Sequence, residues 1–143
     1  MTECPDVSAR PLKVLHVDDD PMNLRVVQEI LGAFGHTTVL AASGPEALER
    51  LSVEAFDAVL MDIHMPGMSG VEVIAQLRAS KGPERKLPVI ALTADVYSRR
   101  PAEYTALGFD AFLTKPILVA KLMDTLRRCV AEAIAPRALS RTG

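Results

Sequence analysis

The sequence predicts a doubly wound α/β domain, and three observations carry that prediction. Five short apolar runs rich in Val, Ile, Leu and Ala stand at 13–17, 37–41, 58–61, 89–92 and 111–114. Runs of this length and composition read as strands buried on both faces. Segments with helical spacing separate them, and strand and helix alternating five times imply a parallel sheet with right-handed crossovers and helices on both faces. The third observation is size: 143 residues with 49% hydrophobic content suit one domain, and a chain near this length buries roughly 70% of its unfolded surface without staples.

Taken in order, the first helix is marked by Leu24, Val27, Leu31 and Phe34, with Pro21 suited to its first turn and Gly32 and Gly35 punctuating its end. The second carries Ala47, Leu48 and Leu51 behind a capping box of Ser43 and Glu46. Val71, Ile74 and Leu77 mark the third. A fourth, over 97–107, is weaker, and Pro101 requires it to start near that residue or bend there. The fifth presents Leu118, Leu122, Leu126, Val130 and Ile134 on one slowly turning stripe. A flexible leader at 1–11 and a frayed tail at 136–143 flank a domain at 12–135.

Composition removes several functions. Cys4 and Cys129 form no CxxC and cannot make a structural zinc site, and this usage suits a reducing, cytoplasmic setting. The longest apolar runs fall far below the ~18 residues of a membrane span, and the leader lacks the apolar core of a secretory signal. Sixteen Lys and Arg against eighteen Asp and Glu, scattered and not striped, argue against a nucleic-acid surface. Protein partners are expected.

In doubly wound folds, ligands bind beyond the carboxyl ends of the strands. Strand one runs into Asp18, Asp19 and Asp20, strand three ends on Asp62, strand four on Thr93 and strand five on Lys115. A single acid in such a place is most simply a solvated loop residue. Several converging carboxylates repel one another and raise their pKa values unless a cation lies among them. An all-oxygen donor set with one or two carboxylates suits magnesium, which usually brings a phosphate. A carboxylate beside a divalent ion, a Thr hydroxyl and a Lys ammonium makes a site for phosphoryl transfer to the carboxylate, with Asp62 the best nucleophile and Lys115 and Thr93 stabilising the transferring group. The crowding also predicts that Asp19→Asn weakens magnesium binding yet raises metal-free stability by roughly 1 to 2 kcal/mol.

The runs Val17-Asp18-Asp19-Asp20-Pro21-Met22-Asn23, Met61-Asp62-Ile63-His64-Met65-Pro66-Gly67-Met68-Ser69-Gly70, Ala91-Leu92-Thr93-Ala94 and Lys115-Pro116 together resemble the receiver domain of two-component response regulators, over about 12–135. The resemblance implies a flavodoxin-like three-layer domain with strand order 2-1-3-4-5. It implies that Asp62 accepts a phosphoryl group from a phosphohistidine on a histidine kinase or histidine phosphotransfer protein, and that Thr93 and Lys115 contact that group. Asp19 and Asp62 would bind magnesium directly, Asp18 through water, with the His64 backbone carbonyl completing the protein ligands. The Lys115–Pro116 bond would be cis. Phe112 stands where the family often has a Tyr that changes rotamer, so a Thr93 to Phe112 switch would alter a partner surface built from helix four, strand five and helix five. Asp20 receives no direct role, and His16 and His36 read as a packed core residue and a loop residue. The run Ser98, Arg99, Arg100 reads as a solvated entry to helix four.

Two other functions compete. Asp18-Asp19-Asp20 formally fits the Asp-x-Asp of haloacid-dehalogenase phosphohydrolases, but Met22 departs from that motif and there is no room for a cap. A receiver-like binding module that never carries phosphate is disfavoured by the complete acid, Thr and Lys set. With eight residues after Ala135, the expected output is protein interaction or onward phosphotransfer, from a single-domain regulator or a hybrid-kinase receiver.

Overall fold

The computed structural model describes residues 11–94 and 101–142. Residues 1–10, which include Cys4, residues 95–100, on which the expected start of the fourth helix and the run Ser98, Arg99, Arg100 fall, and Gly143 lie outside the described residues. Five parallel strands, β1 (Lys13–Val17), β2 (Thr37–Ala41), β3 (Ala58–Asp62), β4 (Val89–Thr93) and β5 (Ala111–Thr114), form one sheet in the order β2-β1-β3-β4-β5. The helices are α1 (Pro21–Ala33), α2 (Gly44–Val53), α3 (Gly70–Ala79), α4 (Pro101–Leu107) and α5 (Val119–Thr142), with a 3-10 turn at Pro83–Lys86.

The alternation of side chains along each strand sorts the core into two layers. Leu15, Val17, Val59, Met61, Val89 and Ala91 pack with α2, α3 and α4 residues such as Ala47, Ile74 and Tyr104. Val14, Ala58, Leu60, Ile90 and Leu92 pack on the other face with Val27 and Leu31 of α1 and Leu122 and Leu126 of α5. The central strands β3 and β4 are buried throughout, as their unbroken apolar runs require. The edge strands differ from the expectation of two buried faces: β2 is buried only at Ala41 and β5 only at Leu113, because each lacks a neighbouring strand on one side.

The ends of the elements have local causes. Asp20 is the N-cap of α1, its side chain accepting from the Met22 N–H, with Pro21 at the first helical position. Ser43 accepts from the Glu46 N–H, while Glu46 reaches back to the Ala42 N–H, one residue short of a closed capping box. The closed box is at Ser69 and Glu72, which heads α3. Pro101 opens α4. Phe34 and Leu118, assigned by periodicity to buried stripes, are exposed because they stand at the margins of α1 and α5, where the chain leaves the helical face. α5 runs from Val119 to Thr142. Cys129 is buried on α5, and burial, with Asp110 adding to it, pushes its thiol up to about 11.

Arg78 ties the layer of α3 to the β4 and β5 side. Its guanidinium donates to the carbonyls of Arg85, Leu87 and Gly108 and to Asp110 Oδ2, which itself accepts from the Val89 N–H. Gly70 allows the closest approach. A Cβ there would stand 2.4 Å from the Asp62 carbonyl oxygen, so α3 can start against the end of β3 only with glycine at that position. Gly70→Ala is therefore expected to destabilise the fold by about 1 to 3 kcal/mol and to disturb the β3 end. Urea denaturation with amide spectra of residues 60–72 checks this; a wild-type midpoint would refute the contact.

Candidate functional site

The strand register brings the predicted residues together. Val17 pairs with Met61 across β1 and β3, so Asp18, one step further, lies beside Asp62. Asp62 pairs with Leu92, and Thr93 pairs with Thr114, so Thr93 and then Lys115 follow on the same edge. Because β1 is flanked by β2 and β3, this edge is where the strand order reverses, the place at which such sheets bind ligands.

Asp18, Asp62 and Thr93 are buried, while Asp19 is exposed. Carboxylate oxygens of Asp18, Asp19 and Asp62 lie within 4.8 Å of one another. Lys115 Nζ stands 3.3 Å from Asp18 Oδ2 and 3.2 Å from Asp62 Oδ1. The Lys115–Pro116 bond is cis, as the resemblance implies. The backbone adds two donors: the Asp20 N–H to Asp18 Oδ1 at 2.9 Å and the His64 N–H to Asp62 Oδ1 at 3.3 Å. His64 itself is exposed, and its imidazole is absent from the acid cluster.

The electrostatics are those of a site short of positive charge. Burial, then the neighbouring Asp18, raises the Asp62 carboxyl to about 6, against the lowering effects of Lys115 and the His64 N–H. Burial depresses the Lys115 ammonium, yet Asp62 and Asp18 together outweigh that and raise its pKa, keeping it charged. Three hard oxygen donors on one edge with a buried carboxylate held above its ordinary range fit a divalent cation such as magnesium. Asp19 is the exposed member of the three, whereas Asp18 and Asp62 are buried.

Two features of the site, the cap at Asp20 and the Tyr104 stack, were not legible in the sequence, whereas His16 is the packed core residue expected. Asp20 caps α1 and so fixes the segment that carries Asp18 and Asp19; the Asp-Pro pair at 20–21 was its signal. Tyr104 is buried and stacks on Phe112, with ring centroids 4.9 Å apart and planes 19° apart. Tyr104 and Leu107 share a helical face, the one hint in a weakly periodic segment. His16 is fully buried on β1 beside Asp18, and burial lowers its imidazole to about 4, so it is neutral at pH 7. His36, read as a loop residue, also has a structural partner, its Nδ1 accepting from the Leu12 N–H at 2.9 Å.

A doubly wound sheet whose switch-point edge gathers acids, a threonine and a lysine defines a phosphoacceptor class of signalling domain, and comparison with known proteins agrees. Residues 14–127 match the response regulator receiver domain, and the chain belongs to that family, the receivers of two-component systems. It is 38% identical over 118 residues to the sensory/regulatory protein RpfC of Xanthomonas campestris, covering 82% of this chain and 16% of RpfC. Among solved structures it resembles the chemotaxis protein CheY4 of Vibrio cholerae, with TM-score 0.76, 32% identity and coverage of 83% of this chain and 98% of that one. It also resembles the receiver domain of the sensor histidine kinase PA1611 of Pseudomonas aeruginosa, described with a magnesium ion in its active-site cleft, with TM-score 0.77, 30% identity and coverage of 84% and 98%. The family settles the class against a phosphohydrolase. Among the described residues no helix is long and apolar enough to cross a membrane.

The raised Asp62 carboxyl makes a pH-dependent prediction. A carboxyl lifted from 3.8 to about 6 on folding supports the fold below pH 4, and that support is lost as pH rises through 6. Asp62→Asn removes the loss. Without metal, its stability relative to wild type is expected to be about 2 kcal/mol greater at pH 7 than at pH 4. Urea denaturation of both proteins in chelator at the two pH values checks the difference; a pH-independent offset would contradict the assigned environment.

Proposed function

We propose that this receiver accepts a phosphoryl group on Asp62 from a phosphohistidine, and that the observation carrying the reading is the shared contact of Lys115 with Asp62 and Asp18 at 3.2 and 3.3 Å. The carboxylate attacks as it stands, since its oxygen needs no deprotonation. The N–P bond of the donor breaks as the O–P bond to Asp62 forms. Lys115, already at Asp62 Oδ1, is placed to neutralise charge on the transferred group, and Thr93 to donate to it. Asp19 and Asp62 would hold magnesium directly, Asp18 through water and His64 through its backbone carbonyl. When bound, magnesium supplies charge neutralisation to the phosphoryl oxygens. The same groups orient the carboxylate in formation and hydrolysis of the aspartyl phosphate, so the domain assists both steps.

The proposed unit is 12–135, and its partners are a histidine kinase or histidine phosphotransfer protein upstream and a protein that reads the face of α4, β5 and α5 downstream. Sheet register supports the route to that face. Phe112 pairs directly with Ala91, and Thr93 lies two residues further on the same face of β4. A movement of Thr93 towards the phosphoryl group is felt at Phe112 and at the Tyr104 stack, turning a local event into a packing change at the surface. A hybrid-kinase setting is supported by the chain spanning only 16% of RpfC and by the PA1611 receiver being part of a sensor histidine kinase.

Incubation with acetyl phosphate and magnesium, followed by intact-mass measurement, is expected to show one added phosphoryl group, absent in Asp62→Asn and formed more slowly in Lys115→Ala. An undiminished gain in Asp62→Asn would overturn the assignment. Amide shifts on phosphorylation are expected at 101–120; shifts that spare this segment would refute the Thr93 to Phe112 route.

A further inference from the structure

His16 is a buried polar residue that the phosphoacceptor reading does not use. Side chains alternate along β1, so His16 and Asp18 point to the same face of the sheet, the one covered by α1 and α5. The ring is fully buried, and neither Nδ1 nor Nε2 has a hydrogen-bond partner. Buried polar atoms are nearly always paired, so two unpaired nitrogens on one ring require an explanation. Nε2 lies 3.9 Å from Asp18 Oδ2, about 1 Å beyond a good hydrogen bond. His16, Asp18, Asn23 and Lys115 line one cavity of about 220 Å³.

Asp18 is already satisfied in this state. Its Oδ1 accepts from the Asp20 N–H, and its Oδ2 has Lys115 Nζ at 3.3 Å. That ammonium is shared with Asp62 Oδ1, and a phosphoryl group on Asp62 brings three anionic oxygens that compete for it. When Lys115 turns to them, Asp18 Oδ2 loses this donor while remaining buried, a costly condition for a carboxylate.

We propose that His16 is a positioning residue whose Nε2–H takes over Asp18 Oδ2 when Lys115 turns to the phosphoryl group, so that the acid pair keeps its geometry in the phosphorylated state. The inference rests on the phosphoacceptor reading above. It assigns His16 no contact with the reacting atoms and no change of protonation. It explains why an unsatisfied ring is kept in the core: its partner belongs to the other state of the site.

The test uses the full chain with magnesium and beryllium fluoride, a stable mimic of the phosphoryl group, titrated by amide spectra, beside urea denaturation without ligand. His16→Val is expected to unfold at or above the wild-type urea midpoint, since an apolar side chain replaces an unpaired polar ring, and to bind the mimic about tenfold more weakly. His16→Gln, which carries an N–H near the Nε2 position, is expected to restore wild-type affinity. Wild-type affinity in His16→Val overturns the inference, as does equal weakening in His16→Gln, which would mark His16 as packing only. Failure of the wild-type chain to bind the mimic overturns the phosphoacceptor reading itself, so the two failures are distinguishable.

Discussion

The contact on which the site depends is the single ammonium of Lys115 between two buried carboxylates, 3.3 Å from Asp18 and 3.2 Å from Asp62. Two acids side by side under a protein surface repel, and each loses the water that would stabilise its charge. One lysine offsets part of that. The remainder appears in Asp62, whose carboxyl is held at about 6 even with Lys115 beside it. A site in this condition suits a further cation and a group that rearranges its charge, which is the chemistry proposed for this receiver. The destabilising arrangement is thus the functional one.

Everything else in the fold serves to keep those three side chains at one edge. Parallel pairing of β1, β3 and β4 sets Asp18 beside Asp62 and aligns Thr93 with the end of β5. Asp20 caps α1 and anchors the turn carrying Asp18 and Asp19, while the Ser69 and Glu72 capping box starts α3 hard against the Asp62 carbonyl, at a distance that only Gly70 allows. Arg78 closes the opposite side by holding three backbone carbonyls and Asp110. Where Phe112 meets Tyr104 the rings stack, so under the proposed switch a shift at Thr93 would reach the surface through packing.

The strands and their order of polar endings were legible in the sequence, because buried parallel strands are unbroken apolar runs and the first polar residue after each must lie at one edge. The gathering of Asp18, Asp62, Thr93 and Lys115 at that edge followed from it. Less visible were properties set by neighbours distant in sequence. Periodicity marked Phe34 and Leu118 as buried, since it reports a helical face and not where the helix ends. Strand runs did not reveal that β2 and β5 are edges. Asp19 could not be told from Asp18 by position alone, yet one is exposed and the other buried. The Tyr104 stack and the unpaired ring of His16 depend on which face meets which helix, and so became visible only in three dimensions.

The central claim is that cation shortage at the acid pair sets the ionisation of Asp62. It is tested most directly by following the side-chain carboxyl carbon of Asp62 by NMR through a pH titration, with and without saturating magnesium. The account predicts a midpoint near pH 6 without metal, well above the ordinary range of an aspartate, and a shift to markedly lower pH with magnesium. A midpoint near 4 in the metal-free protein, or one that magnesium leaves in place, would contradict it.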